Sequence, residues 1–326
     1  MSALRQTLEH RQLTIYFAAI SAGALAALTV PGTQSLETVI NPALALMLFV
    51  TFLQVPLSDL GRAFARVRFF AALLLTNFVV LPVLVGGLIY LLPADPMLRL
   101  GVLLVLLTPC IDYVVTFSHL GQADGKVLLA STPALLIAQM ALLPVYLKGF
   151  LGDDAARYVQ VGPFVHAFVW LIVIPLMLSA AVQVWSRRSQ AGRRTADGLG
   201  VLPVPMTALV LFVVVAAVVP QLGPALGDAL RVIPAYTAFA LIAPLLGWGF
   251  GRLFHLDAPA GRALAFSAAT RNSLVVLPLA FAVPGGVPLL PAVVVTQTLV
   301  ELVSEMLYVR LLPKLGAPKP VPVRPA

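Results

Sequence analysis

The sequence predicts an all-α integral membrane protein, with ten transmembrane helices arranged as two inverted five-helix repeats and helices 4 and 9 broken at the midplane. Three observations predict it. The first is composition: of 326 residues, 60% are hydrophobic and only 10% charged, with a mean hydropathy of +0.99. Soluble domains carry about a quarter charged residues, so a chain this apolar is solvated by lipid. The second is the form of the apolar runs. Stretches such as 71–75 and 209–219 are solidly apolar and lack the alternation of an outer-membrane strand, which leaves helices. The third is where the positive charges fall.

Polar residues, Gly and Pro divide the chain into ten apolar segments, approximately 12–30, 37–55, 69–92, 97–119, 127–150, 161–185, 201–220, 231–252, 260–283 and 289–311. Most are close to the roughly 20 residues that cross a hydrocarbon layer. With the amino terminus inside, sixteen of the Lys and Arg residues lie on one side, and Arg99, Lys148, Arg157 and Arg231 on the other. Arg271 remains within an apolar segment. Cytoplasmic loops hold the excess of positive charge, so the asymmetry predicts a multi-pass protein of the cytoplasmic membrane with both termini cytoplasmic. The net charge of +8 and pI of about 10.1 have the same origin, and nucleic acid is not an expected partner. The first apolar stretch, 13–30, is too long for a signal-peptide core and runs into Pro31-Gly32. The whole chain, 1–326, reads as a single transmembrane transporter domain: repeat 1 at about 12–150, repeat 2 at about 161–311, and a disordered Pro-rich tail at about 313–326.

The inverted repeat rests on two matches. Residues 42–50 (PALALMLFV) and 205–213 (PMTALVLFV) share six of nine residues at an offset of 163. The same offset carries Thr108-Pro109-Cys110 onto Arg271-Asn272-Ser273, the two oddest interruptions of the apolar pattern. Five spans per half is an odd number, so the second half lies upside down relative to the first. Interrupted helices at corresponding places in inverted repeats point to a transporter's binding site.

The residues in those interruptions carry the chemistry. Pro109 cannot donate a backbone hydrogen bond and disfavours helix at Thr108, which frees nearby carbonyls. Asp112, three residues on, costs at least about 2.5–3.5 kcal/mol near a bilayer centre and needs a partner or a task. In span 9, Ser267, Thr270, Arg271, Asn272 and Ser273 interrupt an apolar helix. Arg271 has about ten span residues on either side, so a pair with Asp112 across the site is the plain expectation. In span 10, Gln297, Thr298, Glu301, Ser304 and Glu305 fall on one face, and that stripe must face the bundle interior. Glu301, half way along the span, is a candidate proton carrier; an interhelical hydrogen bond from a protonated Glu is the alternative. Glu305 lies one turn further and stands between a solvated position and the site. Cys110 is a soft ligand beside the break, with simple packing as the equal alternative. As the one cysteine it excludes an internal disulfide and a zinc-type cluster. His119 and His166 fall at span ends. No phosphate loop, nucleophile elbow or paired soluble carboxylates is present, so neither an enzyme nor a cofactor is expected.

The string Thr108-Pro-Cys-Ile-Asp-Tyr-Val-Val-Thr-Phe-Ser118, followed by Gly121-Gln-Ala-Asp124, resembles the fourth span of the arsenical-resistance permeases. Ala268-Ala-Thr-Arg-Asn272 resembles their ninth-span motif, and Leu299-Val-Glu301 the segment holding their span 10 Glu. The resemblance runs over essentially the whole chain. That family belongs to the bile acid/sodium symporter superfamily, whose fold is an inverted repeat of five spans with two unwound helices crossing in a core domain. The resemblance implies efflux of arsenite or antimonite coupled to inward proton movement, with Cys110 and Glu301 at the essential positions. Trivalent arsenic or antimony on Cys110 would be substrate, not a structural metal. Asn272 and Ser273 would supply hydrogen bonds, Asp112 and Arg271 would set the charge of the empty site, Asp112 as a proton-coupling residue beside Glu301 and Arg271 as a substrate-binding one, and Thr108, Pro109 and Thr270 would form the broken-helix backbone.

Departures from that pattern are local. Ile111 and Asp112 replace the Thr and small residue that follow the cysteine, Arg271 replaces an Asn, and Leu274 stands where a Glu is often found. Sodium-coupled members use a Glu and a Gln in span 9 as sodium ligands. Aligned on Asn272, those positions hold Ser267 and Arg271, and a fixed positive charge repels sodium. The expected partners are therefore the lipid bilayer, a small inorganic oxyanion and protons. An organic or inorganic anion carrier with Arg271 as the anion's partner is the second reading. A membrane sensor or scaffold is the third, and the short connections leave it no extramembrane domain.

Overall fold

The computed structural model describes residues 3–54, 66–111, 113–152, 162, 165–166 and 169–316. Among these the regular structure is helical, with one isolated β-bridge. Eight helical stretches are long and apolar enough to cross a membrane: Leu4–Thr29, Thr33–Phe52, Val67–Leu91, Gly125–Leu151, Val169–Arg188, Pro203–Gln221, Ala225–Leu253 and Leu289–Lys314. The fourth and ninth apolar segments are each two shorter helices with a gap between them.

In chain order the helices are α1 (Ala3–Thr29), α2 (Glu37–Phe52), α3 (Val67–Leu75), α4 (Leu81–Leu88), α5 (Pro96–Leu106), α6 (Val114–Leu120), α7 (Gly125–Leu151) and α8 (Ile174–Arg188). They continue as α9 (Gln190–Leu199), α10 (Pro203–Val218), α11 (Leu222–Arg231), α12 (Ile233–Leu253), α13 (Ala258–Ala269), α14 (Ser273–Ala282) and α15 (Leu289–Leu311). A π-turn, Thr76–Val80, joins α3 to α4, and a second, Val169–Val173, leads into α8; such local widenings are often found at functional places.

Three helix starts are set by carboxylate caps. Asp95 accepts from the backbone of Met97 and Leu98 at 2.8 and 3.0 Å ahead of α5. Asp124 caps α7 through Val127, and Asp257 caps α13 through Ala260. Each satisfies orphan amides that lipid could not. The two interrupted segments thus begin at firm caps.

Four stretches differ from the sequence reading. α1 begins at Ala3, nine residues before the expected 12, because Arg5, Gln6, Leu8, Glu9 and Arg11 are good helix formers and Arg5 pairs with Glu9 at 2.7 Å one turn on. Ahead of α12 the segment read as a loop is the helix α11, with an Arg231–Asp228 pair at 2.9 Å on its polar side. The Arg-rich stretch after 188 is also a helix, α9. Ser189 turns to extended backbone, ends α8 and caps α9 by accepting from Gly192 at 2.9 Å. A Cβ on Gly192 would sit 2.7 Å from the backbone of Trp185, so the turn requires glycine. Residues 313–316 of the expected disordered tail are described and begin in a short 3-10 turn; 317–326 lie outside the described residues.

The helices pack in two groups. α10 packs on α1 and α2, and α2 packs on α8; the sequence-matched segments 42–50 and 205–213 thus lie on touching helices. The second group joins α12 to α13, α5 and α14 to α15, and α6 to α7. At the α12–α13 contact a Cβ on Gly247 would meet Ala265 Cα at 2.8 Å. Small residues of this kind let membrane helices approach closely.

Candidate functional site at the crossing of two interrupted helices

The site begins with the amide that Pro109 lacks. α5 ends at Leu106, and Thr108 turns its hydroxyl back onto Leu104 O and Val105 O at 2.9 and 3.0 Å. That bond satisfies Val105 O, the carbonyl a residue 109 amide would have reached. In the second interruption α13 ends at Ala269 and Thr270 takes an extended conformation, φ −97° and ψ 129°. The two extended strips then cross. Pro109 and Arg271 form an antiparallel bridge, with Cys110 N donating to Thr270 O at 3.0 Å and Asn272 N to Thr108 O at 2.9 Å. The backbone freed by each break is satisfied by the other, which a helix interrupted in lipid demands. The two interruptions matched by the 163-residue offset are therefore neighbours in space.

α15 lies against both strips. Glu301, 3% exposed, accepts from the Arg271 backbone amide at 2.7 Å and from Gln297 Nε2 at 2.6 Å on one oxygen. Tyr113, just after the first break, donates its hydroxyl to the other oxygen. One carboxylate thus ties both interruptions to α15. Gln297 also accepts from Ser273 Oγ at 2.8 Å, so its amide hands the network from α14 to Glu301. The expected polar stripe narrows here: Thr298 and Ser304 return their hydroxyls to Val294 O and Val300 O of their own helix. Glu305 belongs to the site. It is fully buried, and its Oε1 lies 2.5 Å from Thr270 Oγ1.

Arg271 is fully buried, and its charge is held by partners that the sequence reading did not name. Its guanidinium donates to Asn77 Oδ1 at 3.0 Å, Ser267 O at 2.5 Å, Ala268 O at 2.8 Å and Leu106 O at 3.4 Å. The guanidinium carbon stands 5.3 Å from the centre of the Phe239 ring, within cation–π range. Among the described residues no carboxylate forms an ion pair with it. Asp112, its expected partner, lies outside the described residues. Backbone carbonyls at the end of α13 carry negative partial charge and favour a cation there.

Asn77 was not among the residues singled out from the sequence. Its amide holds Leu73 O and Ser267 Oγ at 3.1 and 3.0 Å while its oxygen holds Arg271. The available signal was an Asn set in the apolar stretch of span 3. Tyr113 was missed for a simpler reason, since a tyrosine beside a break reads as packing.

Cys110 is wholly enclosed at the crossing. Asn272 is 1% exposed, and its side-chain oxygen and nitrogen both lack a hydrogen-bond partner among the described residues. Ser273 has already given its hydroxyl hydrogen to Gln297. A small cavity borders Glu301, Gln297, Tyr236, Phe239 and Tyr308. Cys110, Arg271, Asn272, Ser273, Glu301, Thr108, Pro109 and Thr270 are thus gathered at one place, whereas His119 and His166 lie exposed away from it.

Comparison with protein-family models matches residues 41–222 to the Sodium Bile acid symporter family. No curated protein matches the chain.

Proposed function

This chain belongs to the Sodium Bile acid symporter family, and from that premise we propose that it is a secondary transporter exporting trivalent arsenic or antimony oxyacids in exchange for protons. The observation that carries the coupling is the position of Glu301, whose two oxygens bond to both interrupted helices. Ionised, it accepts all three bonds from Tyr113, Arg271 N and Gln297. Protonated, it loses acceptor capacity at one oxygen, and the Tyr113 hydroxyl has Arg271 O, 3.4 Å away, as its alternative. Proton loading therefore acts on the crossing itself.

We read the eight long helices and the two interrupted pairs as ten crossings in two inverted halves. Alternating access would come from movement between the two packed groups. Cys110 supplies the soft ligand for the semimetal, and the unpartnered amide of Asn272 supplies hydrogen bonds to its hydroxyls. Sodium at the family's usual span 9 position is disfavoured, since the Arg271 guanidinium lies against Ser267. The second reading, an anion carrier built on Arg271, is weakened by the same contacts, since the guanidinium already faces Asn77 and backbone carbonyls.

The test is arsenite resistance in a cell lacking its own pumps. Cys110→Ser and Glu301→Ala are each expected to abolish it. Full resistance in Cys110→Ala cells contradicts the thiol role, and greater damage from Arg271→Gln than from Cys110→Ser favours the anion carrier.

A further inference from the structure

Glu305 is a buried ionisable group that the coupling through Glu301 leaves without a task. Its Oε1 lies 2.5 Å from Thr270 Oγ1, and its Oε2 has no hydrogen-bond partner among the described residues. Thr270 Oγ1 also lies 2.7 Å from Phe266 O. A hydroxyl has one hydrogen to give. A carbonyl has none, so the bond to Phe266 uses Thr270's hydrogen. Shared between two acceptors, as Thr108 shares its hydroxyl, that one hydrogen leaves both contacts weak; a proton on the Glu305 carboxyl gives the 2.5 Å contact a hydrogen of its own and neutralises a group whose other oxygen is buried without a donor.

Glu301, one helical turn earlier on the same face, is in the opposite situation. The Arg271 amide, the Gln297 amide and the Tyr113 hydroxyl all bring their own hydrogens to it, which is the environment of an ionised carboxylate. Among the described residues the charged and titratable groups near Glu305 are Glu301 and Tyr308 on its own helix and Arg271, which acts on Glu301 and Tyr308. Tyr308 gives its hydroxyl hydrogen to Ala240 O, and Arg271 faces Asn77 and backbone carbonyls. Among the described residues no cation is bonded to either carboxylate.

We infer that Glu301 and Glu305 form a carboxylate pair sharing one proton, which rests on Glu305 in this conformation and gives the transported proton two stations one helical turn apart. When the proton leaves Glu305 for Glu301, the Glu305 oxygen becomes an acceptor and Thr270 turns its hydroxyl from Phe266 O to Glu305. Phe266 O keeps the Thr270 backbone amide at 3.0 Å. No other group gains or loses a proton. Thr270 is also the residue whose carbonyl accepts from Cys110 N, so the second station acts on the same crossing as the first. Different surroundings for two neighbouring carboxyls are what separate acid from base in proton-handling sites.

This inference rests on Glu301 as the proton carrier, and it has a readout that needs no transport. The full chain in liposomes at neutral pH is expected to show the infrared C=O stretch of a protonated carboxylic acid. Glu305→Gln is expected to remove that band and Glu301→Gln to keep it. Survival of the band in Glu305→Gln, or its absence from the wild type, overturns the inference. Should Glu305→Gln not be recovered folded, Thr270→Val decides: loss of the acceptor moves the band to higher frequency, and an unmoved band overturns the pair. A wild type that shows the band yet exchanges no arsenite overturns the substrate reading alone.

Discussion

At the scale of single residues, Arg271 is the most demanding group in the chain, a wholly buried cation with no ion pair among the described residues. It is tolerable because one side-chain oxygen and three carbonyls replace the water on its two terminal nitrogens, where the breaks at Leu106 and Ala269 leave carbonyls to spare; its Nε has no partner among the described residues. Asn77 is the side-chain partner, so Asn77→Ala leaves a buried charge short of an acceptor. A hydrogen bond to a charged group is worth about 1.5–3 kcal/mol, and thermal unfolding of the detergent-solubilised chain is expected to show a loss of that order. An unchanged transition means that water or another carbonyl takes the place of Asn77. Tyr113→Phe removes one of three donors to Glu301 and leaves its packing edge to Phe117, ring centroids 5.9 Å apart. The expected outcome is slower proton-coupled exchange in proteoliposomes, with a melting transition lowered on the same scale as for Asn77→Ala. Undiminished exchange shows that Tyr113 has no part in coupling.

At the scale of elements, the chain's helices were legible where composition alone decides them and obscure where polar residues cooperate with the fold. α2, α10 and α15 lie close to the apolar segments drawn from the sequence. α9 and α11 escaped because Gly, Asp and Arg read as loop signals, while a Ser cap and a short-range ion pair made them helical. Both interruptions were legible from Pro109 and from the polar run 267–273. Their mutual pairing follows only from tertiary placement. The α12–α13 contact gives a prediction at this scale. Gly247→Val places a side chain 2.8 Å from Ala265 Cα and 2.9 Å from Leu264 O, both too rigid to yield. Overpacking of this kind costs about 1–3 kcal/mol. Gly249→Ala, with nothing within 4 Å of its Cβ, serves as the tolerated control in the same melting experiment, and equal stability of the two variants contradicts the close approach.

At the scale of the whole molecule, the low charge content acquires a location. The great majority of the charged residues fall in connections, tails and segment ends. Arg271, Glu301 and Glu305 are gathered where the two interrupted helices meet α15. The residues of the crossing were therefore readable as a list, while Asn77 and the backbone carbonyls that hold Arg271 were not; the expected pair with Asp112 falls outside the described residues. The charge asymmetry predicts that a fluorescent protein fused after residue 326 lights up in the cytoplasm, and that alkaline phosphatase at the same place stays inactive. Active phosphatase contradicts the orientation. The central claim, that exchange of an arsenic oxyacid for protons passes through this crossing, is tested most directly by arsenite uptake into everted membrane vesicles, first with a proton gradient and then with the gradient collapsed. Uptake that depends on the gradient and disappears in Glu301→Ala vesicles is the predicted result, and uptake indifferent to the gradient, or none in the wild type, contradicts it.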